Sequence, residues 1–168
     1  MAKAKNKEEI PIEIVEKHAI VENIINKHFA FLKQLGYTFK KKIVSDKFFK
    51  LKFKFNLVNK KFDRDIYFSY IPLSTIDKKI EEENIFSLLI FRKIDMKLRD
   101  YGDDISMPFY FNKYRPNYNR EKLEIDYYEG TFEQKVEGVI KEYAHLLQTD
   151  FKEVIEGKAW IEGASLNW

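Results

Sequence analysis

Apolar residues recur at helical spacing between Glu8 and Leu35, where Ile14, His18, Val21, Ile25, His28, Leu32 and Leu35 follow one another in steps of three and four. The spacing predicts one long amphipathic helix. Pro11 suits its first turn, where a missing N–H costs little, and Gly36 follows the last periodic residue, where a left-handed terminal position favours glycine. The period then drops from about 3.6 to about 2: from Phe49 to Leu57 the odd positions are apolar and the even ones polar. This predicts a half-buried strand. Tyr37 to Val44 is expected to pair with it across a turn at Ser45-Asp46-Lys47. Beyond Asn59-Lys60-Lys61, Asp65 to Ile71 reads as the next strand, stopped by Pro72 because proline cannot donate to a ladder.

Further on the pattern is less regular. Residues 73–84 read as a polar connection with room for one helical turn, and the run Ile85 to Phe91 as a short central strand covered on both faces. Residues 95–106 read as a charged connection, Met107 to Phe111 as a fifth strand, and Lys113 to Arg120 as an excursion between elements. Leu123 to Tyr128 leaves strand or hairpin open. At Thr131-Phe132-Glu133-Gln134 the spacing is that of a capping box, so a helix begins there, with Val136, Val139, Ile140, Tyr143 and Leu147 as its apolar stripe to about Gln148. Asp150 with Glu153 repeats the cap logic for a short helix to Glu156, ended by Gly157. The tail from Lys158 to Trp168 fits no single element. Helix, meander, then helices is the order of a two-layer α+β domain: an antiparallel sheet of about 4–6 strands packed by a long N-terminal helix and C-terminal helices. One domain over residues 1–168 is expected, with residues 1–8 flexible.

Composition narrows the chemistry. The 168 residues hold 15 Phe, 10 Tyr and 2 Trp, ample for a large core, and no cysteine, which removes disulfides, thiolate metal sites and cysteine nucleophiles together. No apolar run approaches the ~18–20 residues of a membrane span, and the first nine residues lead into no signal-like run. No membrane association and a cytoplasmic location are the simplest expectations. The net charge of +3 is unevenly placed: lysine plus arginine against aspartate plus glutamate stand at 6 to 5 in residues 1–36, 9 to 1 in residues 37–62 and 15 to 21 in residues 63–168.

No catalytic residue, metal site or cofactor is expected from the sequence, which carries no recognisable motif for one. His18 and His28 lie ten residues apart on one helix, about 15 Å along its axis, too far to share an ion. They read as core-edge histidines. Asp100, Asp103 and Asp104 around Gly102 lack calcium-loop spacing and read as a solvated turn. Glu156-Gly157-Lys158 matches the E-x-K of metal-dependent nucleases, but at a helix end where that chemistry needs a strand. Two surface features carry more weight. Lys50, Lys52 and Lys54 share one side of their strand, and with Lys40, Lys41, Lys42, Lys60 and Lys61 they define a basic patch; a row that guards a sheet edge is the competing reading. Residues 109–120 concentrate aromatic side chains, Arg and Asn, the hot-spot chemistry of protein interfaces, so Tyr110, Tyr114, Arg115, Tyr118 and Arg120 are candidate anchors; aromatics folded back as a lid on the core compete with that reading.

In element order, and in Phe31-Leu32-Lys33-Gln34-Leu35-Gly36-Tyr37, Tyr143-Ala144-His145-Leu146-Leu147 and Val154-Ile155-Glu156-Gly157, the chain resembles small immunity-like proteins of bacterial polymorphic toxin systems. The resemblance implies a non-enzymatic protein that neutralises a toxin by covering its active site. The basic stretch at residues 37–62 departs from the acidic surfaces common among such inhibitors. The expected function is therefore protein binding without catalysis, with nucleic-acid binding through the lysine face as the alternative and an enzyme without a recognisable motif third. Self-association is compatible with either binding role.

Overall fold

The structure, a computed structural model, describes residues 9–44, 48–58, 62–76, 79–93 and 102–165. Residues 1–8, the turns expected at residues 45–47 and 59–61, and Asp100 lie outside the described residues. The α+β expectation holds. Five strands, β1 (Thr38–Ile43), β2 (Leu51–Val58), β3 (Asp63–Ile76), β4 (Lys79–Lys93) and β5 (Gly102–Ser106), form one sheet in chain order, each antiparallel to the next. On its inner face pack helices α1 (Ile12–His28), α2 (Ala30–Gln34), α4 (Phe132–Gln148) and α5 (Lys152–Ile155), while α3 (Met107–Tyr114) follows β5 at the sheet's edge.

Register explains which side chains meet the helices. Residues opposed in an antiparallel pair share a face, so Phe53, Phe55, Ile66, Phe68, Tyr70, Phe86, Leu88 and Ile90 all turn inward and are buried. Buried Ile14, Val21, Ile24 and Ile25 of α1 and Val136, Val139, Ile140, Tyr143 and Leu147 of α4 cover them. The helix expected to run unbroken to Leu35 is interrupted at Phe29 (φ −99°, ψ 11°), and the break admits the Phe29 ring between Phe55 and Phe68, centroids 5.7 and 5.4 Å away. Leu35 is consequently off the buried stripe and exposed. Gly36, at φ +98°, ends α2 as foreseen: the Tyr37 amide donates to Leu32 O and the Gly36 amide to Lys33 O, the paired bonds of a Schellman end.

Five sequence expectations are corrected. Pro72 does not stop β3. β4 carries an extra residue opposite it, with Asn84 in the left-handed region (φ 49°), so the missing N–H falls at a bulge where no ladder bond is owed. Residues 73–84 are accordingly largely strand, and β4 begins at Lys79 where Ile85 was expected. Met107 to Phe111 is helix: Met107, Tyr110 and Phe111 bury at helical spacing, with Pro108 in the first turn. Residues 120–127 form two short 3₁₀ turns, not a strand, and β2 starts at Leu51, since Phe49 sits in the left-handed region (φ 51°). The capping box at Thr131 and Gln134 is present, its bonds 3.2 and 2.9 Å. Within α4, Gly138 leaves the space occupied by the Tyr128 ring, 2.4 Å from where a Cβ would stand.

Candidate functional site

β5 is short, and this leaves part of β4 uncovered. It pairs with β4 only from Leu89 to Lys93, because after Ser106 the chain turns into α3. Among the described residues no strand lies beside residues 82–88 on that side. Across the gap stand Pro108 and Phe111 of α3, Leu123 and Ile125 of the 3₁₀ turns, and Tyr143 of α4, enclosing a groove of about 740 Å³. Its floor is apolar, with Phe86 and Leu88 turned to the inner face and Ile85 and Leu89 to the outer one. Its rim is acidic: among the described lining residues, Glu82, Glu83, Glu124 and Asp126 stand against one cation, Arg120. Glu82 also answers Lys17 of α1 at 3.0 Å.

Backbone polarity in the groove follows from two hydrogen bonds. The Ser106 amide donates to Ala164 O at 2.8 Å and so turns away from β4; alternation then turns Ile105 toward Ile90, and the backbone groups of Ile90, Leu88 and Phe86 toward the same side. The Tyr143 hydroxyl donates to Phe86 O at 3.2 Å, consistent with that direction, and burial pushes this phenol well above its usual range. Tyr70 donates to Asn84 Oδ1 at 2.6 Å, pinning the bulge at one end of the groove.

Of the five candidate anchors, Arg120 alone lines this groove. Tyr110 is buried, its ring 4.6 Å from Phe151, and its hydroxyl donates to Asp150 Oδ2 at 2.8 Å. Tyr118 stacks on Phe111, centroids 4.3 Å apart and planes at 4°, and donates to Glu142 Oε1 at 2.5 Å. Arg115 reaches both oxygens of Asp150, at 3.1 and 2.9 Å, with its guanidinium 5.1 Å over the Tyr118 ring. Tyr114 stays 44% exposed and bonds Glu162 O, and Arg120 bonds Asn112 Oδ1. The segment is thus fastened to α4 and the C-terminal residues by its own polar groups.

The lysines divide by register. Lys40 stands opposite Lys54 and Lys42 opposite Lys52, which puts these four on the outer face; Lys52 and Lys54 flank the half-buried Tyr67 ring at 4.9 and 5.6 Å. Asp65 Oδ2 is 3.6 Å from Lys54. Lys50 precedes β2 and is half-buried. Lys41 faces the other way and pairs with Glu22 of α1 at 2.7 Å. Lys60 and Lys61 lie outside the described residues.

The titratable groups weighed as catalysts are held in structural pairs. Asp103 and Asp104 are on β5, where Asp103 Oδ2 accepts from Trp160 Nε1 at 2.8 Å and Arg92 at 3.2 Å, and Asp104 accepts from Ser165; they form no solvated turn. Lys27 and His28 both bond Glu137, each at 2.8 Å, and hold its carboxyl down to about 2. Glu156 and Lys158 pair at 2.6 Å just past α5. Among the described residues no three His, Asp or Glu side chains come together as a metal ion requires, and no helix is long and apolar enough to cross a membrane.

His18 is buried in α1, with Nε2 bonded to Phe49 O at 2.8 Å and its ring edge-on to Tyr70. Burial holds its imidazole below the usual range, against a smaller opposing pull from the Phe49 carbonyl. An unfolded chain takes up this proton near pH ~6.5, the folded one only lower, so the stability tied to neutral His18 is present above that pH and lost as pH falls through the folded value. Urea unfolding from pH 7.5 to 5 is expected to show stability falling with a slope of up to about 1.4 kcal/mol per pH unit, largely removed in His18→Gln. An unchanged slope in the variant would assign the decline to other groups.

Comparison with family models, with curated proteins and with solved structures found no match to this chain. The functional reading therefore rests on the geometry above.

Proposed function

We propose that this chain is a non-catalytic protein-binding domain, acting in the cytoplasm and of the inhibitor kind that the resemblance to immunity-like proteins implies, whose partner seats in the groove along β4. The observation that carries the reading is the uncovered stretch of β4 over an apolar floor. Its volume lies within the roughly 300–1,000 Å³ of ligand sites, and an exposed strand edge is a ready template for a second chain. Arg120 on the rim extends the contact surface, and Tyr114 and Arg115 are the other exposed members of the five candidate anchors.

The test uses Ser87→Trp, an exposed position on the groove wall where a large ring occupies the space without entering the core. A partner captured from the native cell is titrated calorimetrically against the wild type, this variant and the double variant Lys52→Glu/Lys54→Glu. Ser87→Trp is expected to weaken binding at least about tenfold, or ~1.4 kcal/mol, and the lysine changes by less than about threefold. The reverse order would overturn the groove assignment.

A second reading is favoured by one observation, the opposed lysines Lys40/Lys54 and Lys42/Lys52 around Tyr67 on the open outer face. It makes that face a nucleic-acid surface. Salt separates the two: phosphate contacts give affinity falling steeply with log salt, whereas an apolar groove contact changes little. Binding of a single-stranded oligonucleotide that weakens over about a hundredfold between 50 and 200 mM salt, and is lost in Lys52→Glu/Lys54→Glu, would favour it.

A further inference from the structure

We infer that the groove takes an extended, lysine- or arginine-bearing peptide segment of a protein partner, added to the sheet as a strand beside β4. This rests on the proposal that the groove is the partner's seat and specifies what enters it.

The outer edge, β1, presents Lys40, Lys41 and Lys42, the charged guard that discourages strand addition. At the other side β5 is itself bordered by the tail, through the bond from Ser106 to Ala164. Residues 85–88 of β4, Ile85 to Leu88, have neither a charged side chain nor a bordering strand on their open side among the described residues. There alternation from the Ile90–Ile105 pair turns the backbone groups of Phe86 and Leu88 toward the groove, the Phe86 carbonyl also accepting from the Tyr143 hydroxyl, the arrangement an added antiparallel or parallel strand uses for its ladder. Side chains of such a strand alternate between faces with the sheet's own period of two. One set would meet the inner wall of Met107, Phe111 and Ile125, the other the outer wall beside Ile85 and Leu89.

Charge selects the occupant. Glu83, Glu124 and Asp126 on the rim outnumber Arg120, the one cation among the described lining residues, so a cationic segment gains on approach and an acidic one is repelled. The same rim opposes a second copy of this chain pairing edge to edge, because each copy would bring like charges to the contact.

The probe is a short acetylated and amidated peptide alternating lysine and valine, titrated by nuclear magnetic resonance into the full chain. Three comparison peptides are used: one with glutamate for lysine, one N-methylated at alternate residues so that half of its ladder donors are gone, and one scrambled to break the alternation. Saturable binding is expected, with slowed exchange of the Phe86 and Leu88 amides and at least tenfold loss for each comparison peptide. Glu83→Lys/Asp126→Lys, changes at the rim, is expected to lower affinity for the lysine peptide at least tenfold with an unaltered melting temperature. Equal binding of the N-methylated peptide, perturbation centred on β1 or the outer face, dimerisation through β4, or no binding of the lysine peptide at millimolar concentration would each overturn the inference. A partner that Ser87→Trp releases, but whose bound segment is helical or acidic, sinks this inference and leaves the groove reading standing. A partner that Ser87→Trp retains sinks the groove reading itself.

Discussion

Replacing Phe68 with alanine is expected to lower the free energy of unfolding by about 3–5 kcal/mol, the largest effect of any single truncation considered for this chain. Phe68 lies at the middle of the central strand with no exposed surface, and three rings surround it: Phe29 at 5.4 Å, Tyr143 at 5.2 Å and Phe86 at 6.1 Å. The first two meet it edge to face, the arrangement that the ring quadrupole favours. Its removal leaves a cavity bounded by side chains from the α1–α2 break, α4 and β4 at once, and rings fixed by three separate segments collapse little into the space. Urea unfolding measures the loss as a lower midpoint with little change in slope. A double-mutant cycle with Tyr143→Ala is expected to give about 0.5–1.5 kcal/mol of coupling across the ring pair. A loss below about 1.5 kcal/mol would mean that the two layers are less closely packed than the ring distances indicate.

The second large effect is expected at Arg64, where methionine should cost about 2–4 kcal/mol and lysine nearly as much. The side chain is buried on the inner face of β3, and its Nε donates to Val154 O at 3.0 Å while Nη1 donates to Asp63 O at 2.9 Å. Val154 is in α5, so the guanidinium meets a carbonyl at the negative end of a short helix. Phe62 and Trp160 place their rings 5.3 and 5.0 Å from the guanidinium carbon. Methionine fills part of the volume but leaves the Val154 carbonyl short of a donor and removes both ring contacts. Lysine keeps the charge and loses the flat fork that reaches a carbonyl while stacking. Denaturant unfolding reads the stability, and a red-shifted Trp160 emission reads release of the C-terminal residues from the sheet. Wild-type stability in Arg64→Lys would show that charge alone suffices there.

How much of this was legible beforehand differs by element. β2 was readable from Leu51 onward because one of its faces is oily and the other wet, so a single alternating pattern names strand and inward side chains together, although Phe49 and Lys50, read with it, precede it. α4 was readable because its cap, Thr131 to Gln134, is a local pair of bonds that needs no distant partner. β4 was not, because its first half carries glutamates and an asparagine whose strand state is imposed by pairing with β3, and because Pro72 is tolerated only through a bulge in the opposite strand. α3 carries a helical signal in the chain itself: Met107, Tyr110 and Phe111 recur at helical spacing with Pro108 in the first turn. That signal replaces the strand expected at Met107 to Phe111 with a helix, and the fifth strand instead lies just before it, at Gly102–Ser106, inside the stretch read as a charged connection.

The candidate surfaces follow the same division. Tyr110 and Tyr118 have the composition of binding anchors, yet their hydroxyls go to Asp150 and Glu142, acids that come near only once α4 and the chain beyond it have folded against α3. Lys41 sits between Lys40 and Lys42 in the chain, and pleating sends it to Glu22 on the opposite face. The groove joins residues from β4, α3, the 3₁₀ turns and α4, and no stretch of the chain foretells it.

By itself, the sequence determined what depends on neighbours in the chain: the periods that make strand or helix, the cap of α4, the left-handed stop at Gly36, and the absence of thiol chemistry. Only the tertiary structure decided where strands end and which edges stay uncovered, since a backbone N–H or C=O is satisfied or left open by groups distant in sequence. The open side of β4 exists because the chain leaves the sheet at Ser106, and that departure is set by how α3 packs on the edge.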